Sequence, residues 1–282
     1  MSKQKTKEKI IFFLLKLSAL AVALPVLLIV YLLVTRGAGA ISWEFLTQPP
    51  RDGMRAGGIM PAIVGTLYLI LGTALFALPV GVLSAIYLAE YAKPGGFTRL
   101  VRLAIVNLSG VPSVVFGLFG LAVFVNVLGF GASILAGSLT LALMALPVVI
   151  TSSEEALTSV PQSFREASLA LGATKLQTVR RIVLPNAVPG IITGLILAIG
   201  RAAGETAPIL FTVAAFYLPR LPRSVFDQCM ALSYHLYVIA TQVPDPPERI
   251  QWGTALTLLM LVLGMSAVAA VVRTRFRRAR KW

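Results

Sequence analysis

The sequence predicts an all-α integral membrane protein that crosses the bilayer six times. Three observations predict it: composition, the spacing of apolar runs, and the placement of cations. Of 282 residues, 57% are hydrophobic and only 13% charged, about half the charged share of a soluble domain. A bilayer core about 30 Å thick needs roughly 20 helical residues to cross it. Six stretches qualify: 10–34, 59–88, 103–127, 132–152, 186–210 and 251–272. With the N-terminus inside, most of the 25 Lys and Arg fall in cytoplasmic segments. That bias follows the positive-inside rule for six spans with both termini cytoplasmic.

The elements follow in order. Basic residues, an apolar run and Ala38-Gly39-Ala40 imitate a signal peptide. The apolar run exceeds a signal's 7–15-residue core, so it reads as an uncleaved first helix. Residues 1–36 thus form a tail and first span, and 37–282 the main transmembrane domain. Thr47–Gly58 is a turn-prone outer segment, and the long second span tilts or projects. Lys93-Pro94-Gly95-Gly96 is an inner turn. The third span carries Pro112 in GVPSVVFGLFG, a packing seam with a kink. A short outer turn near Asn126–Gly131 precedes the fourth span. The outer loop, about 216–250, contains DQCMALSYHLYVIAT, a short helix at or dipping into the surface. Pro244, Pro246 and Pro247 end it before the last span.

Several function classes drop out. The net charge of +14 invites nucleic acid, but its distribution fits topology and lipid headgroups, including the terminal RTRFRRARK run. Cys229 is the only cysteine and His235 the only histidine, so there is no internal disulfide and no cysteine cluster for metal. Both read as packing residues. No Gly-x-x-x-x-Gly-Lys-Ser/Thr phosphate loop is present, so the chain lacks the usual machinery for ATP.

The cytoplasmic loop at about 154–185 predicts a helical hairpin. Ser159 is a plausible cap and Pro161 suits a first turn. Small residues continue the helix to Gly172, placed for the positive φ of a C-terminal stop. Thr174 and Gln177 have capping-box spacing for a second helix, which carries Lys175, Arg180 and Arg181 to Pro185. An ordered hairpin on a membrane surface implies something that docks on it.

The fifth span contains GRAAGETAPILFT, Gly200–Thr212. Arg201 and Glu205 are four apart and share a helix face. Arg201 lies about 21 Å along from Ala187 at 1.5 Å per residue, past the midplane of the core. Charges there face a bundle interior or an aqueous path. Two readings stand: an ion pair that holds helices together, or an anion site in which Arg201 offers a guanidinium fork. In the second, Glu205 orients Arg201 or accepts a proton from the anion.

The residues also carry a resemblance. Glu166-Ala167-Ser168, three residues, Gly172, nine residues, then Ile182-x-Leu184-Pro185 resembles the EAA loop of bacterial binding-protein-dependent ABC importer permeases. Ser168 stands where a second Ala is common. The resemblance implies the type I (MetI-like) permease fold, with the hairpin as a coupling helix that docks on an ATP-hydrolysing subunit through those seven residues. The chain itself would then be no enzyme and hold no cofactor, ATP and Mg residing on that partner. RAAGETAP resembles the PstA-type permease of the phosphate importer; the sister PstC-type permease typically reads RAxGETMAV, and Ala207-Pro208 favours the former. GGI-x-PAIVGTLYL, IYLAEYA and GVPSVVFG extend the similarity over about 37–270. This implies a substrate pathway at Arg201, Glu205 and Thr206 for inorganic phosphate. It also implies a PstC-type partner in a heterodimer, a homodimeric ATP-binding subunit, an extracytoplasmic phosphate-binding protein and a place in the bacterial inner membrane. The alternatives are a permease for sulfate or molybdate, a stand-alone secondary transporter or channel, and a membrane scaffold.

Overall fold

A computed structural model describes residues 2–278, so Arg280 and Lys281 of the basic tail lie outside the described residues. Helix α1 (Ser2–Gly37) is exposed from Ile10 over most of its length and meets the bundle at its C-terminal end. There Arg36 stacks 5.0 Å from the Trp252 ring. A short helix, Trp43–Thr47, follows, capped by Ser42 Oγ accepting from the Phe45 N–H. Next, Pro50–Arg51 pairs antiparallel with Ala56–Gly57 around a turn that holds Asp52, Gly53 and Met54 at positive φ. Met54 is buried, which makes the turn-prone segment a packed plug.

Helix α2 (Met60–Ile86) continues into a π turn at Tyr87–Tyr91. Beyond it the third span expected at 103–127 is not one helix. Two helices take its place, α3 (Gly96–Ser109) and α4 (Ser113–Gly120, extended by a π turn to Val127), bent by 102°. The cause is Pro112: its ring would strike the Leu108 carbonyl in a continuous helix, and it disfavours helical backbone at Val111. The kink expected from Pro112 is thus a full elbow. Helix α3 sets Val101 and Ile105 against the bundle and leaves Phe97, Leu100 and Leu103 exposed.

Helix α5 (Ile134–Thr158) is the most deeply buried of the long helices. Its direction relative to α2 is read from close approaches. A Cβ on Gly72 would collide with Ser138, and one on Gly81 would lie 2.6 Å from Val149 Cγ1, so the two helices run parallel. In lipid, such small-residue seams replace the hydrophobic drive that water supplies. Helix α6 (Gln162–Ala170) then turns at Gly172 into α7 (Lys175–Gly204), one 30-residue helix interrupted only by a π turn at Val179–Val183. Gly190 abuts Ala156 and Gly194 abuts Ser152, so α7 is antiparallel to α5. The second hairpin helix and the fifth span are therefore continuous.

The fifth span ends earlier than 186–210 suggests. Helix α7 stops at Gly204, Glu205 is extended, and α8 (Ala207–Thr212) starts anew. Pro208 explains the break, because its ring would meet the Gly204 carbonyl in an unbroken helix. The middle of the long loop forms α9 (Leu232–Thr241), which buries Leu232, Tyr234, His235, Val238 and Ile239. Leu232 N donates to Thr66 Oγ1 at 2.8 Å, pinning it to α2. Cys229 and His235 are buried in this packing, and burial pushes the Cys229 thiol up to about 12. The prolines at 244–247 precede α10 (Glu248–Arg278). Among the described residues, five helices are thus long and apolar enough to cross a membrane, with a sixth span if the bent pair counts as one.

Candidate functional site

The hairpin is built locally. Helix α6 begins after Pro161, whose side chain makes no cap, and Ser159 turns its hydroxyl back to Ala156 O instead. The expected Ser159 cap is therefore replaced by a proline-started turn, since the Ser159 backbone already belongs to the last turn of α5. Gly172 sits at φ 82°, which L-residues with a Cβ rarely adopt. Thr174 and Gln177 close a reciprocal capping box: Gln177 N donates to Thr174 Oγ1 (3.3 Å) and Thr174 N to Gln177 Oε1 (2.8 Å). Ser168 and Thr178 hydroxyls meet at 2.9 Å and stitch the two arms.

The residues predicted for docking divide between two surfaces. Glu166, Ala167 and Gly172 are exposed at the tip, whereas Ser168, Ile182, Leu184 and Pro185 are half-buried. Leu184 packs into the core beneath the hairpin, beside Val160, Val183 and Ala187. The tip also presents Leu171, 90% exposed, together with Leu169 and Leu176. Sequence reading passed over these leucines, which have no periodic signature in so short an element.

A second missed feature lies under the tip. Glu90, in the π turn at the end of α2, pairs with Arg165 of α6 at 2.7 Å, with side chains 8% and 12% exposed. Arg165 also donates to Leu157 O (2.8 Å) and Val160 O (2.6 Å). Beside them Arg102 of α3 pairs with Glu154 at 2.7 Å and donates to Leu88 O at 3.1 Å. Lys175 lies 5.0 Å from the Tyr91 ring. The only sequence signal was a carboxylate ending an apolar run and an arginine beside Glu166.

The other candidate locus is the break after α7. Arg201 Nε donates to Glu205 Oε1 at 3.3 Å, as i,i+4 spacing predicts. Arg201 is 47% exposed and Glu205 18%, so the pair opens onto a surface of the chain. The stripe Leu197, Arg201 and Gly204 is exposed, while Ala198, Ala202 and Ala203 are buried. The Arg201 terminal amino groups have no acceptor among the described residues. Ser233 Oγ donates to the Glu205 carbonyl at 2.9 Å, so α9 supports the break that a continuous helix would lack. Thr206 is half-buried at the same break. Helix α4 backs it closely, where a Cβ on Gly117 would lie 3.0 Å from Ala207 O. The two breaks, at Pro112 and at Glu205–Thr206, thus belong to one packed unit. A guanidinium fork on an exposed face, held by a carboxylate, is chemically suited to an oxyanion.

The pattern of the family described as "Binding-protein-dependent transport system inner membrane component" matches residues 77–281, which spans the hairpin and the charged break. The chain belongs to this family. Among relatives, it is 39% identical over 261 residues to the "Phosphate transport system permease protein PstA" of Mycobacterium leprae, covering 91% of this chain and 85% of that protein. It is 36% identical over 265 residues to the "Probable ABC transporter permease protein YqgI" of Bacillus subtilis, covering 89% and 90%. The Haemophilus influenzae PstA protein is 34% identical, with 92% and 91% covered. Solved structures of ABC transporters share the fold. A bacterial alginate ABC transporter in complex with an alginate-bound periplasmic protein aligns with TM-score 0.63 at 18% identity, covering 91% of this chain and 92% of that one. The MetNI methionine transporter aligns with TM-score 0.57 at 19% identity, covering 78% and 94%. The MetI-like fold inferred from the EAA loop is thereby established for this importer permease.

Proposed function

We propose that the chain is the permease subunit of an ATP-driven phosphate importer in the bacterial inner membrane. The observation that carries the substrate is the Arg201–Glu205 pair, open on the chain's surface at the break after α7, in a sequence 34–39% identical to several phosphate transport permeases. Arg201 presents its fork to phosphate oxygens, Glu205 orients it, and Thr206 lies on the same path. Because the pair faces outward from one chain, a sister permease completes the pathway as a heterodimer. The hairpin tip docks on a homodimeric ATP-binding subunit, which holds ATP and Mg, and an extracytoplasmic phosphate-binding protein delivers cargo at the opposite end. Both termini are cytoplasmic on this reading, as the cation bias requires.

Reconstitution of the chain with those partners tests the reading. ATP-dependent phosphate uptake that sulfate and molybdate fail to compete supports it. Preferred uptake of either competitor would make the chain a permease for another oxyanion. Uptake by the purified single chain without ATP would replace the importer reading with a secondary transporter or channel.

A further inference from the structure

The Tyr87–Tyr91 π turn at the end of α2 receives three cations from three different elements: Arg102 of α3 on Leu88 O, Arg165 of α6 on Glu90, and Lys175 of α7 on the Tyr91 ring. Only the Glu90–Arg165 contact is both ionic and buried. Four of the five guanidinium N–H groups are engaged. Nε and Nη2 reach Glu90, while Nη1 and Nη2 take Val160 O and Leu157 O. One side chain of the hairpin therefore grips the ends of both α2 and α5. Those two helices run parallel and pack closely at Gly72–Ser138 and Gly81–Val149. The hairpin's own arm α7 enters the bundle through another π turn at Val179–Val183.

We infer that the buried Glu90–Arg165 pair is the strut that transmits movement of the docked hairpin to the α2–α5 pair, and that Glu90 is a positioning residue for coupling. This rests on the docking role proposed for the hairpin. The link carries force because a buried pair with satisfied hydrogen bonds loses heavily when either partner is displaced. The strut acts on helices and touches neither phosphate nor ATP.

The test uses the full reconstituted complex and reads phosphate taken up per ATP hydrolysed, with co-purification of the ATP-binding subunit as the assembly control. Glu90→Ala is expected to keep ATP hydrolysis and lower that ratio by about tenfold or more. Glu90→Gln, nearly isosteric, lowers it less and serves if Glu90→Ala fails to assemble. Re-tethering adds the discriminating readout: Glu90→Cys with Arg165→Cys, joined by a short bis-maleimide, restores the ratio. Buried Cys229 stays unreactive. A ratio unchanged in the Glu90 variants overturns the inference, as does a lowered ratio that re-tethering leaves lowered. Failure of the wild-type complex to take up phosphate would instead sink the importer reading itself.

Discussion

Gly172 offers a substitution whose effect is confined to the backbone. A Cβ built there meets nothing within 4 Å, so no side chain would clash, yet φ is 82°. An L-residue in left-handed backbone costs roughly 1–2 kcal/mol, a factor of about 5 to 30 in the population of the folded turn. If docking requires that turn, affinity falls by the same factor once the turn is no longer fully populated. Asn tolerates this conformation better than Ala, and β-branched Val worse. The expected order of affinity for the ATP-binding subunit is therefore Gly172, then Gly172→Asn, Gly172→Ala and Gly172→Val. Titration of labelled ATP-binding subunit against the permease pair in nanodiscs measures it. Equal affinities for Gly172→Val and the wild type would refute the reasoning, as would Gly172→Asn binding as poorly as Gly172→Val. Gly172→Asp adds a charge at the exposed tip and should abolish uptake while leaving binding-protein affinity unchanged.

Arg201→Lys keeps the charge and loses the planar fork, so phosphate uptake should fall by about tenfold with assembly intact; wild-type uptake would remove the anion role. Gly194→Ala should destabilise the chain by about 1–3 kcal/mol, because the new methyl would collide with Ser152. Adding Ser152→Gly removes the colliding atoms and should restore the thermal midpoint in micelles. Asp227 accepts from the Arg223 and Ser224 backbone N–H groups, and those bonds, Arg223 first, hold its carboxyl below the ordinary carboxylate value. The sign follows: its contribution is complete above the unfolded value near 3.9 and disappears only as pH falls through the lowered folded value. Hydrogen exchange at Arg223 and Ser224 should thus stay protected to below the usual carboxylate range, and Asp227→Asn should exchange faster at neutral pH.

Local chemistry was the most legible part of this chain. The Gly172 stop, the Thr174–Gln177 box and the Arg201–Glu205 pair depend on residues within five positions of one another, so spacing alone places them. Hydropathy located the apolar segments because it reports composition, but it averages over breaks. Pro112 and Pro208 each lie in strongly apolar surroundings that score as continuous helix, and whether such a proline kinks or severs depends on packing. Before Pro208 the break is held at the Glu205 carbonyl by Ser233, 28 positions away. The Glu90–Arg165 pair spans 75 positions, and nothing in either local sequence specifies the other partner. The same holds for α9, whose burial beside Thr66 is a tertiary event.

The central claim is that Arg201 on the open face of α7 meets phosphate in an ATP-driven pathway. It is tested most directly by phosphate uptake per ATP in the reconstituted complex, wild type against Arg201→Gln. The account predicts ATP-dependent, sulfate-insensitive uptake by the wild type and its near-complete loss in Arg201→Gln, with ATP-binding-subunit assembly unchanged. Undiminished phosphate uptake by the Arg201→Gln complex would contradict it.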